Sequence, residues 1–338
     1  MRYITAAAAF SAAFVSPLMA QERGSVAPKV LVVTMFAQEA APWTENENLT
    51  TEIPVLGLSQ DYPAVTCNDA GLCMMTTAMG FANAASSVSA VALSPKFDLQ
   101  QTYVVIAGIA GVDPKDGTLG SAHRAKFAVD ADLNHRIDPR ETPDDWSDDT
   151  IGLGAGAPGE KPKWGSGTEV FALNPALAEF AYETTKDVPL ADGEEASSYR
   201  THYAEVAAQG KPFVSLCDTL SSDTYWHGIK IADSKERWVS LLTDDAGDYC
   251  TTQMENNATL TALKRADEAG LLDFDRVAVL RTGSNFDRQG TDQTAIASLQ
   301  AKSGGFPLAA ENAYRVAKSY AEAIMSDWNA WKEAPQVD

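Results

Sequence analysis

Histidine and cysteine are scarce, with four of each in 338 residues. No Cys-x-x-Cys pair and no histidines at ligand spacing occur, so the usual zinc frameworks are excluded and no metal is expected. Basic side chains are also short. The 26 Lys and Arg stand against 46 Asp and Glu, for a formal net charge of −20. A surface of that sign repels phosphate backbones and anionic headgroups, which argues against nucleic-acid polymers and membrane surfaces as partners. Beyond the N-terminus no apolar run reaches the roughly 20 residues of a spanning helix. Val30–Val33 and Val104–Val112 are strand-sized, so no transmembrane segment is expected. Internal repeats and low-complexity linkers are absent too, which favours one large domain, residues 28–332, over two.

The N-terminus has the form of a secretory signal. Met1-Arg2 is a short basic start, an Ala-rich apolar run follows to about Val15, and Ser16–Ala20 has the small residues of a cleavage region. The reading is a signal peptide over residues 1–20 and a secreted, periplasmic protein. Cleavage would leave 318 residues and remove only Arg2 among the charges, deepening the net charge to −21. An oxidising compartment suits the four cysteines. Cys67 and Cys73 bracket an Asp- and Gly-containing turn, consistent with a bridge across a hairpin. That leaves Cys217 with Cys250 as a longer staple.

Lys29–Met35 reads as a buried strand, followed by strands at Pro54–Leu58, Ala64–Cys67 and Met74–Thr77. Ala82–Leu93 reads as a helix. Tyr103–Ala107 is the next buried strand and runs into Gly108-Ile109-Ala110-Gly111. Residues 138–167 read as long loops, Asn174–Lys186 as a helix and Pro212–Leu216 as a strand. Thr251–Ala269 is predicted helical, Arg276–Arg281 a last buried strand, and Pro307–Lys332 a closing helix with a core-facing apolar stripe. Alternating buried strands and helices predict an α/β layered fold with a largely parallel sheet.

In open α/β sheets ligands gather beyond the carboxyl ends of the strands. Those positions here carry MFAQEAAPW after the first strand, AGIAGVDPKDGTLGS after the Tyr103 strand, SSDTYW after Cys217, QMEN after Cys250 and RTGSNFDR after the last strand. With IDPRETPDDW at Ile137–Trp146, these segments in this order resemble the nucleoside phosphorylase/nucleosidase superfamily. From residue 29 to about 330 the chain looks most like the purine nucleoside permease family.

The resemblance implies an α/β layered, nucleoside phosphorylase-like fold with a central mixed, largely parallel sheet flanked by helices, no cofactor and a small-molecule purine nucleoside as ligand. It implies that Met254 and Glu255 hold the sugar, with Glu255 accepting from ribose hydroxyls. It places Tyr225 against the base, with Ser222, Asp223, Gly108, Ala110 and Gly111 around the ligand. Arg281 and Ser284 match the Arg-x-x-Ser-Asp segment of nucleosidases, but the terminal Asp is replaced here by Asn285. An amide donates a hydrogen bond but delivers no proton. Asp287, two residues later, is the candidate substitute acid. Glu39 matches, with a one-residue shift, the acidic residue that orients water in hydrolytic relatives. No arginine-rich phosphate loop is found, which favours hydrolysis over phosphorolysis.

One competing motif fails on its own terms. Asp130, Asp132, Asn134, Asp138 and Glu141 fall at positions one, three, five, nine and twelve of a calcium loop, but His135 stands where the turn glycine belongs. Two functions remain open: a nucleosidase that cleaves the N-glycosidic bond in nucleoside salvage, or a non-catalytic binding protein that hands nucleosides to a separate transporter. The resemblance is also compatible with an oligomer.

Overall fold

The structure, a computed structural model, describes residues 24–146 and 148–337. The expected signal peptide lies outside the described residues. Among the described residues, twelve strands form one mixed sheet whose middle is Tyr103–Val112. Val30–Thr34 pairs parallel with it on one side and with Leu72–Thr76 on the other, and Val277–Phe286 also runs parallel to Tyr103–Val112. Val30–Val33, Val104–Ile106 and Val277–Leu280 are continuous apolar runs buried on both faces, as parallel strands covered by helices must be. Two apolar clusters cover the two faces. One packs Val88 and Val91 of helix Phe81–Ala92 and Leu260 and Leu263 of helix Asn256–Glu268. The other packs Val316, Tyr320 and Ile324 of helix Gly305–Ser326. In that last helix the predicted stripe faces the core: Tyr314, Ala317 and Ala321 are buried.

The site depends on one strand being longer than its neighbours. Val30–Thr34 accompanies Tyr103–Val112 only as far as Ile106. The remaining residues overhang, and Val112 and Gly111 there pair antiparallel with Thr251 and Thr252. Both Tyr103–Val112 and Val277–Phe286 therefore run several residues past the predicted ends at Ala107 and Arg281.

Several boundaries are corrected. The strand predicted at Pro54–Leu58 is Thr51–Pro54, paired antiparallel with Ala64–Cys67. The helix predicted from Thr251 starts at Asn256, because Tyr249–Gln253 is a strand held by long-range pairing with Asp218–Ser221 and the overhang. Helices Ala37–Asn46 and Ile229–Thr243 had not been read as such from the sequence. The former carries Pro42 inside it. The predicted disulfides, Cys67–Cys73 and Cys217–Cys250, are both formed.

Candidate active site

A cavity of about 420 Å³ opens at the carboxyl ends of the central strands. Ile109, Ala110 and Gly111 of the overhang form part of its lining, joined by Thr252 and Gln253 of the antiparallel strand. Glu39 and Gln38 enter from the start of helix Ala37–Asn46, and Met254 and Glu255 from the turn before helix Asn256–Glu268. Phe36, Tyr225, Trp226 and Phe306 supply aromatic walls, and Ser284 and Asn285 come from the end of the last strand.

Glu39 is buried, and both of its oxygens accept backbone N–H groups. Oε2 accepts from Met35 at 2.8 Å and Oε1 from Ile109 at 2.7 Å. Burial raises its pKa from 4.5 to about 7; the nearby Arg281 charge and the two backbone donors oppose that rise without cancelling it. Glu39 thus changes protonation near neutrality, the condition for a general base or acid to be useful. Gly108 makes this approach feasible: a Cβ there would collide with Met35 and come within 2.5 Å of Glu39 Oε1.

Glu255 is buried in the cavity wall as well. Its Oε1 accepts from Gly80 N at 3.2 Å and its Oε2 from Met254 N at 3.3 Å, with Arg281 Nη2 at 3.5 Å. It does not cap its own helix. Gln253 does so instead, its Oε1 accepting from Glu255 N at 2.8 Å and Asn256 N at 2.9 Å. The Glu255 carboxylate is thereby available to the cavity instead of being used up by the helix terminus.

Of the residues named from sequence, Glu39, Met254, Glu255, Tyr225, Ser284, Asn285, Ala110 and Gly111 line this one cavity. Five do not. Arg281 is buried beneath it, donating to Asn256 Oδ1 at 3.1 Å and to Ile109 O at 3.2 Å. Gly108 serves by its lack of a side chain. Ser222 and Asp223 shape the adjoining loop: Ser222 Oγ donates to Asp132 Oδ1 at 2.9 Å, and Asp223 Oδ1 accepts from Phe81 N at 2.7 Å. Asp287 is turned away and ion-paired with Arg288 Nε at 2.7 Å while accepting from the Tyr249 hydroxyl at 2.7 Å. A substitute acid must reach the ligand, and Asp287 faces its partners instead. Asn285 itself is partly engaged: its Nδ2 donates to Phe286 O at 3.0 Å and its Oδ1 accepts from Ser284 Oγ at 2.9 Å.

The calcium-loop residues are likewise occupied. Asp130 Oδ1 accepts from the N–H groups of Asp132 at 2.7 Å and Leu133 at 3.0 Å, and Asp132 Oδ2 from Asp223 N at 2.7 Å.

Met79 and Phe306 were missed. Met79 sits just past strand Leu72–Thr76, where the strand-end rule applied to its neighbours also points. Phe306 lies in the first turn of helix Gly305–Ser326 and is brought to the site only by tertiary packing, its ring 6.0 Å from that of Phe36.

The fold is that of nucleosidases. The chain superimposes on a 5'-methylthioadenosine/S-adenosylhomocysteine nucleosidase from Neisseria meningitidis, solved with methylthio-immucillin-A, with TM-score 0.52 and 15% identity over 88% of this chain and 99% of that one. It also matches the futalosine hydrolase of Helicobacter pylori, with TM-score 0.55 and 14% identity over 88% of this chain and 98% of that one. A family model described as purine nucleoside permease matches residues 27–336, and the chain belongs to that family. A Schizosaccharomyces pombe protein named "probable purine nucleoside permease" is 41% identical over 322 residues, 92% of each chain. A purine nucleoside permease of Candida albicans is 36% identical over 308 residues, 89% of this chain and 76% of the relative.

Proposed function

We propose that the cavity binds a purine nucleoside and that the protein hydrolyses its N-glycosidic bond, working in salvage outside the cytoplasm. The observation that carries this reading is the pair of buried carboxylates, Glu39 and Glu255, facing one cavity whose other walls are aromatic rings and an amide. Glu255 is an acceptor-only group suited to the ribose hydroxyls. Tyr225 offers a flat face to the base. Glu39 takes a proton from water as the water oxygen bonds to the anomeric carbon. The C–N bond breaks as that bond forms, and its electron pair leaves with the base. Positive charge builds on the sugar during this step, and the two carboxylates stand where it develops.

A second reading is capture without cleavage, with delivery to a separate transporter. It is favoured by one observation: of the two residues expected to assist the leaving base, one is an amide already bonded to Phe286 O and the other an aspartate turned away against Arg288, so neither delivers a proton to the base. Among the described residues no helix is long and apolar enough to cross a membrane.

Incubation of the protein with inosine, guanosine and adenosine, with and without phosphate, separates these readings when free base is followed by chromatography. Phosphate-independent release of base is expected. Binding without release transfers the assignment to capture, and release only with phosphate overturns hydrolysis. Glu255→Gln is expected to weaken nucleoside binding by about tenfold or more, since hydrogen bonds to a charged group are worth about 1.5–3 kcal/mol. Unchanged binding would remove Glu255 from the sugar site.

A further inference from the structure

The cavity does not end at Asn285. A second hollow of about 410 Å³ adjoins it, and Tyr225, Ser284, Asn285 and Phe306 line both. Glu39, Met254 and Glu255 line only the first. The shared wall therefore holds the aromatic ring and the amide that suit a planar base, while Glu255, whose carboxylate suits sugar hydroxyls, lies away from it. A nucleoside held by both sets of groups points its base towards the second hollow.

The far wall of that hollow is built structure. Tyr199 Oη lies 3.2 Å from Ser298 Oγ, and Ser303 Oγ donates to Ser284 O at 3.3 Å, tying the segment around residues 298–307 to the end of the last strand. Its surface is mixed: Leu299 and Phe286 are apolar, Ser298 and Ser303 carry hydroxyls, and Lys302 adds an ammonium group. An unsubstituted purine seated in the first cavity has no atoms with which to occupy this second space. Binding sites of this kind gain affinity by burying most of their ligand's surface.

Resting on the nucleoside reading above, we propose that the preferred ligands are purine nucleosides substituted on the outer edge of the base, and that the second hollow is the subsite for that substituent. The mixed wall fits a substituent with an apolar body and a polar tip.

Titration of the purified protein with adenosine and with N6-benzyladenosine tests this. The substituted nucleoside is expected to bind more tightly than adenosine. Adenosine binding with N6-benzyladenosine binding only equally or more weakly would overturn the subsite while leaving the nucleoside reading intact. If neither binds, the nucleoside reading fails and the subsite with it. Ala301→Trp and Leu299→Trp each add bulk only to the second hollow and alter exposed positions. Each is expected to weaken N6-benzyladenosine by about tenfold and adenosine by less than about threefold. Equal losses for the two ligands would show that the hollow takes no part in recognition.

Discussion

Two arginines seven positions apart hold carboxylates in this molecule, and they do so to opposite ends. Arg281 lies under the cavity with Glu255 on one side, and its charge also opposes the raised pKa of Glu39. Its carboxylate neighbours keep faces open to the cavity. Arg288 is surrounded: it pairs with Asp287 at 2.7 Å, Asp113 at 2.5 Å and Asp233 at 3.3 Å, while Tyr249 donates to Asp287. Composition alone makes the two clusters alike. What separates them is whether the carboxylate oxygens have acceptor capacity left for a ligand, and only the Arg281 cluster has it. The difference also accounts for Asp287, an acid at plausible spacing whose oxygens are already committed.

Breaking the sealed cluster should have the larger effect. Arg288→Met leaves Asp113 and Asp287 buried without their counter-charge, and the loss of one partner from a buried ion pair costs about 3–5 kcal/mol. Denaturant unfolding should show a loss of that size. A loss below about 1 kcal/mol would mean that solvent already reaches the cluster and that the contrast with Arg281 is false.

The open cluster should reveal itself through pH. The folded-state pKa of Glu39, about 7, lies above its ordinary 4.5, so the fold holds this proton more tightly than the unfolded chain does. The associated stability is complete below pH 4.5 and is lost as pH rises through 7. Relative to Glu39→Gln, the wild type should lose on the order of 3 kcal/mol across this window. Burial of Asp113, also raised to about 7, is common to both proteins and cancels in the difference. The proposed hydrolysis should move the other way, rising as the Glu39 carboxylate forms. A wild-type-minus-variant difference that does not change with pH would place the Glu39 proton elsewhere.

How much of this was legible in sequence follows from which contacts are local. AGIAG announces itself as glycine-rich backbone after a buried β-branched strand, and it does form cavity wall. The need for Gly108 is a different matter: it arises from Glu39 and Arg281, 69 residues before it and 173 after it. Thr251-Thr252-Gln253 precedes a true helix and was absorbed into it, since the pairing with Gly111 and Val112 that makes it a strand is nonlocal. Asn285 and Asp287 are two apart, the spacing at which strand residues share a face. The strand ends at Phe286, and the Asp287 carboxylate just beyond it is taken by Arg288 and the Tyr249 hydroxyl. No one-dimensional pattern marks that departure. The aromatic residue Phe306 was invisible for the same reason, its role being fixed by where the last helix docks.

The smallest expected effect tests the aromatic wall that the open cluster serves. Tyr225 is 60% exposed, so its ring contributes little to the core and its replacement should not disturb folding. Tyr225→Leu keeps an apolar side chain but removes the flat face on which a base would stack. An aromatic pair is worth about 0.5–1.5 kcal/mol beyond the area it buries, so nucleoside affinity should fall about threefold to tenfold. Free ribose should be unaffected, because the sugar contacts proposed for Glu255 are left intact. A Tyr225→Leu protein that loses ribose and nucleoside equally would show that the ring orders the loop instead of meeting the base. The base would then have to be held by Phe36, Trp226 or Phe306.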